Sequence, residues 1–315
     1  MRVTSLGSGS SGNAYLIEAG PQGRTCVLVD AGFSARVLLE RLRQAGREPG
    51  ELQGVLVTHE HSDHILGLPV LFKRFHVPVF ADPRTLSVLR EIFSSGELRS
   101  ETGALVRLES DPPAFIEMLS ASEEVHVSPT ASLAADTNLW RSLPGGAHTT
   151  IGDIEIDSFA VSHDAVAPCG YLLHAGGCRV CIVTDTGEVT ETMLAAMARA
   201  DLLILESNHD RARLLSGPYP YHLKQRILSS TGHLSNSQAA EAVLRIWRSD
   251  GLRWLWLAHL SRTNNTPKLA LTSMQKSLRE NGANLAQIHI SVLKHEPGSS
   301  WDSTRLWQDP HLWEM

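Results

Sequence analysis

The sequence predicts an α/β protein in which two β-sheets pack face to face between outer helices, an αββα four-layer sandwich. Three observations support this prediction. Short apolar strands precede Asp30, a set of helical segments follows, and after Thr150 strands return and alternate with helices. The 315 residues are 42% hydrophobic and 20% charged, which is ordinary for globular proteins and excludes disordered and fibrous classes.

The predicted strands are short apolar runs bounded by glycine, proline or polar residues. They span residues 3–6, 13–18, 25–29, 54–57, 77–80, 154–162, 170–174, 179–184, 202–205, 254–258 and 287–292. Apolar residues at helical spacing predict helices at 34–44, 65–75, 83–93, 190–200, 235–247 and 267–280. Ser34 is the expected cap of the first helix, and Ser235 or Asn236 caps the fifth.

Composition changes between about residues 94 and 149, where Ser, Glu, Pro, Ala and Thr dominate and periodicity is weak. We predict one catalytic domain over 1–295, with 94–149 as an insertion holding one short helix. Residues 296–315 are predicted to form a C-terminal tail that its tryptophans, Trp301, Trp307 and Trp313, pack against the domain.

Charge and cysteine content narrow the class of protein. The formal net charge is −6, which excludes a strongly basic nucleic-acid binder. Four cysteines are too few for a disulfide framework, and the C-x-x-C at Cys178 and Cys181 lies in an apolar strand typical of buried thiols. The N-terminal residues lack signal-peptide character and no apolar run is long enough for a membrane helix, so we expect a cytoplasmic protein without membrane contact.

The strongest chemical feature is the segment 58–64, Thr-His-Glu-His-Ser-Asp-His, directly after a buried apolar strand. Zinc and related metals take imidazole nitrogen and carboxylate oxygen as ligands. His59 and His61 can converge on one ion, whereas Asp63 and His64 lie at the next bend and can serve a second. Burying these groups without an ion would cost free energy. The alternative to a metal site is that the segment is a histidine tract on the protein surface.

Three further candidate ligands, His163, Asp185 and His259, each follow a later predicted strand. Taken singly, Asp185 could be a turn residue and either histidine a hydrogen-bonding residue at a strand end. Taken with the segment 58–64, they give strand-ending ligands in the order HxHxDH, His, Asp, His, which favours a metal centre.

With these motifs the chain resembles the metallo-β-lactamase superfamily, and within it the YycJ/WalJ group of bacterial nuclease-like proteins. The resemblance covers most of the chain apart from 94–149 and the tail. The segments that carry it are 9–13, 58–64, 162–164, 184–187, 206–210, 219–220, 232–236 and 258–261.

The resemblance implies a two-metal hydrolase. It implies that His59, His61 and His163 bind one divalent ion, that Asp63, His64 and His259 bind the other, and that Asp185 bridges them. Zinc and manganese both suit this donor set. Two such ions suit attack of an activated water on a phosphodiester, with Asp63 also expected to orient or deprotonate that water.

His233 lies in a segment, 232–240, that is similar to one in RNase Z, where the equivalent histidine contacts the scissile phosphate and assists the leaving oxygen. This resemblance makes Glu206 the carboxylate that supports His233. The structural alternative is that His233 is a loop residue beside a helix cap. Asn208 and His209 either line the cleft or belong to a surface loop.

Three classes of function compete. The first, which we favour, is a phosphodiesterase acting on nucleic acid, DNA rather than RNA, as a 5′-to-3′ exonuclease. The second is a superfamily hydrolase of a small ester, thioester, lactone or cyclic phosphodiester, and the third is a non-catalytic metal-binding module. The seven matched ligand positions disfavour the third class, and the segment 232–236 favours phosphodiester chemistry.

Spacing argues against two relatives. The stretch from Asp185 to His259 is too short for the extra domain of the RNase J type, and that from His163 to Asp185 is too short for the tRNA-binding arm of RNase Z. A basic cluster that could form a local positive rim comprises Arg211, Arg213, Lys224, Arg226 and, after the last ligand, Arg262.

Overall fold

The computed structural model describes residues 1–99, 105–107, 138–248 and 254–308, and within them two seven-stranded mixed sheets. In chain order the strands are β1 (Arg2–Gly7), β2 (Ala14–Ala19), β3 (Thr25–Val29), β4 (Gly54–Leu56), β5 (Val79–Ala81), β6 (Glu97–Arg99), β7 (Leu105–Arg107), β8 (Trp140–Ser142), β9 (His148–Ile151), β10 (Ile154–Ala160), β11 (Cys169–Ala175), β12 (Cys178–Val183), β13 (Leu202–Glu206), β14 (Trp254–Ala258), β15 (His289–Val292) and β16 (Ser299–Asp302). The α-helices are α1 (Ala35–Gln44), α2 (Ser62–Ile65), α3 (Leu68–Phe75), α4 (Pro83–Ser95), α5 (Glu191–Met197), α6 (Arg211–Ser216), α7 (Tyr221–Ile227), α8 (Asn236–Arg245), α9 (Pro267–Glu280) and α10 (Arg305–Gln308). Single 3-10 turns occur at Pro21–Gly23, Pro49–Glu51 and Leu285–Gln287.

The two sheets repeat one pairing pattern. The first has the order β16-β1-β2-β3-β4-β5-β8 and the second the order β9-β10-β11-β12-β13-β14-β15. Read in these directions, each sheet begins with three antiparallel pairs and ends with three parallel pairs. Parallel neighbours place their carboxyl ends at one edge of a sheet, so each sheet has one edge where several strands end together.

The apolar core is divided into three clusters that match the layers of the sandwich. One lies between the sheets, and the other two lie between each sheet and its helices. On β13, Leu202 and Ile204 contact the cluster between the sheets, whereas Leu203 and Leu205 contact the helix side. Because both faces of such strands are buried, the strands are continuously apolar in sequence. The predicted αββα sandwich is confirmed.

The region predicted as an irregular insertion contains regular structure where it is described. β8 and β9 extend the two sheets, and β6 pairs with β7 in a separate two-stranded sheet. The prediction missed β8 and β9 because they are short and largely solvent-facing, so neither shows an apolar run. The helix predicted within 94–149 lies outside the described residues.

The helix predicted at 65–75 is two helices, α2 and α3, separated at Leu66 and Gly67. Gly67 lies so close to the preceding loop that a Cβ there would be 2.6 Å from the carbonyl oxygen of Phe33. The chain turns at this close approach, so α2 and α3 are separate helices. Asp63 and His64 therefore lie on the short helix α2 and not on α3.

The segment predicted as a tail supplies a strand of the first sheet. β16 pairs antiparallel with β1, with Trp301 opposite Val3, and Trp301 is buried in the cluster between the sheets. The prediction that this tryptophan packs against the domain is therefore confirmed. The side chain of Trp307 and all of Trp313 lie outside the described residues.

The four cysteines, Cys26, Cys169, Cys178 and Cys181, are buried and free of disulfide bonds, as the sequence predicts. In the described part of the chain, no helix is both long enough and apolar enough to cross a membrane.

We predict that Trp301→Ala lowers the free energy of unfolding by about 3–5 kcal/mol, because it leaves a cavity between the sheets and loosens β16 from β1. The measurement is urea denaturation followed by circular dichroism. Tyr221→Ala, which truncates an aromatic side chain that is 77% exposed, is the control and should change stability by less than about 0.5 kcal/mol. Equal midpoints for the two variants would show that the segment around β16 does not contribute to the folded domain.

Candidate metal centre

The candidate ligands lie where strands of both sheets end. His59 and the short helix α2 follow β4, Asp185 follows β12, and His259 follows β14. Asp30, Asp185 and His259 all have positive φ, at 61°, 55° and 54°, a left-handed conformation that costs a non-glycine residue roughly 1 kcal/mol or more. The chain therefore turns sharply at the ends of β3, β12 and β14, and three of the five described non-glycine residues with positive φ lie at this place.

The first ligand set is His59, His61 and His163, whose candidate donor atoms all lie within 4.8 Å of one another. The ring centroid of His59 lies 4.6 Å from that of His61 and 5.0 Å from that of His163. His163 Nε2 lies 3.3 Å from His61 Nδ1. The structure thus brings together the three histidines that the sequence assigns to one ion.

The second set is Asp63, His64, Asp185 and His259, again with donor atoms within 4.8 Å and all four side chains buried. His259 Nε2 lies 3.3 Å from Asp63 Oδ2, and His64 Nε2 lies 3.1 Å from Asp185 Oδ2. The ring centroids of His59 and His64 are only 4.1 Å apart, so the two sets adjoin. Asp185 groups with the second set, and its bridging to the first stays a prediction.

Hydrogen bonds at Nδ1 orient three of the histidines. His64 Nδ1 donates to Asp30 Oδ2 at 2.8 Å, His259 Nδ1 donates to Glu206 Oε1 at 2.8 Å, and His163 Nδ1 donates to the carbonyl oxygen of Gly232 at 3.1 Å. A proton held at Nδ1 leaves Nε2 as the lone-pair nitrogen. Each ring is therefore fixed in the tautomer that a metal ligand requires.

The charges of the site are strongly coupled. Burial would lower the pKa of His64, but the carboxylates of Asp185, Asp30 and Asp63 outweigh it and hold that pKa well above its usual range. Burial lowers the pKa of His59, and the neighbouring His64 and His61 lower it further. Although burial disfavours ionised carboxylates, His259 and His64 hold the pKa of Asp185 well below its usual value. The centre thus consists of ionised carboxylates among histidines.

Several candidate metal-ligand atoms are buried without a hydrogen-bond partner in the described residues. These are His59 Nε2, Asp63 Oδ1 and Asp185 Oδ2, the last despite its proximity to His64. Each unsatisfied buried polar atom costs roughly 1–3 kcal/mol, and several together need a compensating partner. A divalent cation satisfies imidazole nitrogen and carboxylate oxygen at once, so the residues fit divalent metal binding.

Glu206 and His233 form a buried pair beside both ligand sets. His233 Nδ1 donates to Glu206 Oε1 at 2.7 Å, and the ring centroid of His233 lies 5.1 Å from that of His163 and 5.3 Å from that of His259. Burial would raise the pKa of Glu206, but His233 and His259 lower it to about 2. An ionised Glu206 thus holds two histidines with a single oxygen.

The loop after β1 also reaches the site. The backbone N–H of His259 donates to Ser8 Oγ at 2.9 Å, and Asn13 Nδ2 lies 3.3 Å from His64 Nε2. Gly32 packs directly on the ligand segment, since a Cβ there would lie 1.6 Å from the carbonyl oxygen of Asp63. The first sheet and its loop therefore hold the second ligand set from one side.

Asn208 and His209 are buried, so their alternative assignment to a surface loop is wrong. Asn208 Nδ2 donates to the carbonyl oxygen of His259 at 3.0 Å, and His209 forms a β-bridge with Ser235. Burial lowers the pKa of His209 to about 4. These residues join the loops after β13 and β14 to the start of α8, and so support His233 and His259.

Sequence reasoning missed Asp30 as a supporting residue, although it follows β3 just as the ligands follow their strands. Asp30 accepts hydrogen bonds from the backbone N–H and the hydroxyl of Thr58 as well as from His64. A carboxylate at the end of a strand beside β4 is the signal that could have identified it.

Part of the predicted positive rim has another role. Lys224 Nζ donates to the carbonyl oxygens of Leu215 and Gly217, and Arg226 pairs with Asp164. The ion pair with Asp164 offsets the charge of Arg226, whereas Lys224 keeps its charge, and the predicted rim stays a prediction. Arg211, Arg213 and Arg262 remain exposed.

The two mixed sheets between helices, with histidine and carboxylate sets at their strand ends, define a metal-dependent hydrolase with the metallo-β-lactamase fold. Residues 25–250 match a family model described as a beta-lactamase superfamily domain.

Curated relatives show to which group of this superfamily the chain belongs. It is 34% identical over 275 residues to exodeoxyribonuclease WalJ of Streptococcus pneumoniae (strain D39), covering 87% of each chain. It is 33% identical over 277 residues to exodeoxyribonuclease YycJ of Bacillus anthracis, covering 88% of this chain and 89% of that one. The chain belongs to the metallo-β-lactamase superfamily, within the WalJ/YycJ group, and the resemblance predicted from its motifs is confirmed.

Among solved structures, the fold is similar to that of Zn²⁺-bound PqqB from Methylobacterium extorquens, with a TM-score of 0.59. The two chains are 16% identical, and the match covers 96% of this chain and 100% of that chain. At this identity the likeness supports the fold alone.

We predict that Asp30→Asn weakens metal binding by about 10–100-fold, because the amide is a weaker acceptor for His64 Nδ1–H and no longer balances its charge. Isothermal titration of the metal-stripped variant with Zn²⁺ measures this change. Asp157→Asn is the matched control, since Asp157 also accepts from a histidine, His148, at 2.8 Å, but this pair joins β10 to β9 and is solvent-accessible. Equal affinities for the two variants would contradict the role of Asp30.

Proposed function

We propose that the protein is a metal-dependent phosphodiesterase that degrades DNA as an exonuclease with 5′-to-3′ polarity. The observation that carries this proposal is the buried Glu206–His233 pair beside both ligand sets, because it places a proton donor next to the metal centre. Phosphodiester hydrolysis expels an alkoxide that needs a proton or a positive charge nearby. The names of the relatives WalJ and YycJ support DNA as the substrate.

The metal complement we propose is two divalent ions, Zn²⁺ or Mn²⁺. His59, His61 and His163 would hold one, Asp63, His64 and His259 the other, and Asp185 would bridge them. When bound, such a pair supplies Lewis acidity toward phosphate oxygens and lowers the pKa of water. Two adjoining donor sets with buried unpartnered atoms support this assignment.

The catalytic work of the chain itself falls to Glu206, His233 and Asp63. Glu206 fixes the Nδ1 proton of His233, so the proton available for the leaving oxygen is carried on Nε2. Asp63, whose Oδ1 is buried and unpartnered in the described residues, is the candidate to orient or deprotonate the attacking water.

We propose that residues 1–295 form the catalytic domain and that residues 94–149 are an insertion within it. The C-terminal segment 296–315 adds β16 to the first sheet of this domain. We further propose that the protein acts in the cytoplasm, and its four free cysteines support a reducing compartment.

Metal-dependent cleavage is the direct test of the proposed function. We expect the protein to shorten end-labelled DNA in the presence of Mn²⁺ or Zn²⁺, to lose this activity in EDTA, and to be inactive as Asp63→Ala. Labels at the 5′ and 3′ ends of single- and double-stranded DNA and RNA measure polarity and substrate. Turnover of a lactone, thioester or cyclic nucleotide without cleavage of any nucleic acid would contradict the proposal.

We predict that His233→Ala retains its metal but loses about 10²–10⁴-fold in kcat, the scale of a general acid. Metal analysis together with cleavage kinetics measures both quantities. A substrate with a good leaving group, such as a 4-nitrophenyl phosphodiester, should restore most of the lost rate because 4-nitrophenolate leaves without a proton. An equal loss on both substrates would show that His233 does not protonate the leaving oxygen.

A further inference from the structure

Charged side chains are distributed unequally around the metal centre. On the side of the second ligand set, exposed cations follow three neighbouring parallel strands: Arg211 and Arg213 follow β13, Arg262 follows β14, and Lys294 follows β15. We call these four residues the basic rim. Because β13, β14 and β15 are parallel neighbours, the basic rim lies at the same sheet edge as Glu206 and His259.

Backbone contacts tie the basic rim to the site. Arg213 Nη2 donates to the carbonyl oxygen of Thr263 at 3.4 Å, which joins the β13 side of the rim to the loop that carries Arg262. The carbonyl oxygen of Lys294 accepts from the N–H of Ser8 at 2.8 Å, and the same serine accepts from His259 N–H. Through Ser8, the backbone at Lys294 is therefore two hydrogen bonds from His259.

The cations of the basic rim have no ion-pair partner within the described residues. Asp210 and Glu296 adjoin the rim, and Asp210 accepts from the backbone N–H of Arg213 as a helix cap. Arg211 begins α6, where the helix dipole disfavours a cation, so helix stability does not explain the position of Arg211.

The opposite side of the centre is acidic. Glu60 accepts from the N–H of Val166 at 2.8 Å, Glu188 accepts from the hydroxyl of Ser162 at 3.2 Å, and Asp164 follows His163 directly. All three carboxylates, which we call the acidic rim, contact or belong to the segment that carries His163. Arg226 pairs with Asp164. The described part of the acidic rim is therefore net negative, and the basic rim is net positive.

We propose that the basic rim binds the sugar-phosphate backbone of the substrate strand, so that the polymer lies on one side of the metal centre only. This inference rests on the proposed nuclease function. The acidic rim repels further phosphates and leaves space for the terminal nucleotide that is released. At physiological salt the Debye length is about 8 Å, so the local rim attracts DNA even though the whole chain has a net charge of −6.

Charge-neutralising variants test the rim. Each phosphate contact contributes about 0.7 to the slope of log K against log salt for a single strand, so Arg262→Gln should lower that slope by about 0.7. Its kcat/KM for DNA should fall relative to that for bis(4-nitrophenyl) phosphate. Arg279→Gln is the matched control: this exposed arginine has no ion pair within the described residues and lies in the last turn of α9, at the opposite edge of the sheet. We expect the wild-type slope and the wild-type kcat/KM ratio for Arg279→Gln.

Uncharged methylphosphonate linkages test the one-sided path. Placed in single-stranded DNA on the polymer side of the scissile phosphate, they should weaken binding, and Arg262→Gln should remove that sensitivity. On the other side, removal of the 5′-terminal phosphate should not weaken binding. If the wild-type protein cleaves DNA but Arg262→Gln and Arg279→Gln bind it alike, or if the terminal phosphate matters as much as the polymer-side linkages, the inference is wrong and the nuclease function stands. If the wild-type protein neither binds nor cleaves nucleic acid, the proposed function itself fails.

Discussion

The site depends on buried carboxylates that hold histidines by Nδ1. Asp30 holds His64, and a single oxygen of Glu206 holds both His259 and His233. Each of these hydrogen bonds selects a tautomer of the histidine, fixes the plane of its ring and places a negative charge beside it. Because the carboxylates follow strands of opposite sheets, the geometry of the centre is set by how the two sheets pack.

That packing follows from the repeated sheet pattern. Each sheet places parallel strands next to an antiparallel set, and each contributes strand ends to the same edge of the sandwich. Asp30 after β3 and Asp185 after β12 occupy the same place in this pattern, each just past the first strand of the parallel part and each with positive φ. One sheet supplies the ligand segment after β4, and the other supplies most of the remaining ligands and the Glu206–His233 pair.

Sequence reasoning could find what is local or patterned. The ligands follow apolar runs and recur in a familiar order, so their positions could be predicted before their geometry was known. The contact between Glu206 and His259 could not, because it requires β13 and β14 to be parallel with Glu206 opposite Ala258. The contacts of Ser8 and Asn13 with the ligands could not be predicted for the same reason, since their loop approaches the ligands only through tertiary packing. The short strands β8 and β9 carry no apolar run of their own.

The left-handed backbone at Asp30, Asp185 and His259 has a consequence for how this protein can change. Glycine would adopt these conformations without strain, so replacing any of the three would relieve backbone energy while deleting a group the centre needs. The same substitutions would also remove buried hydrogen bonds, such as those that Asp30 accepts from Thr58 and His64. The backbone strain at the ends of β3, β12 and β14 is therefore offset by side-chain contacts that hold both the fold and the centre.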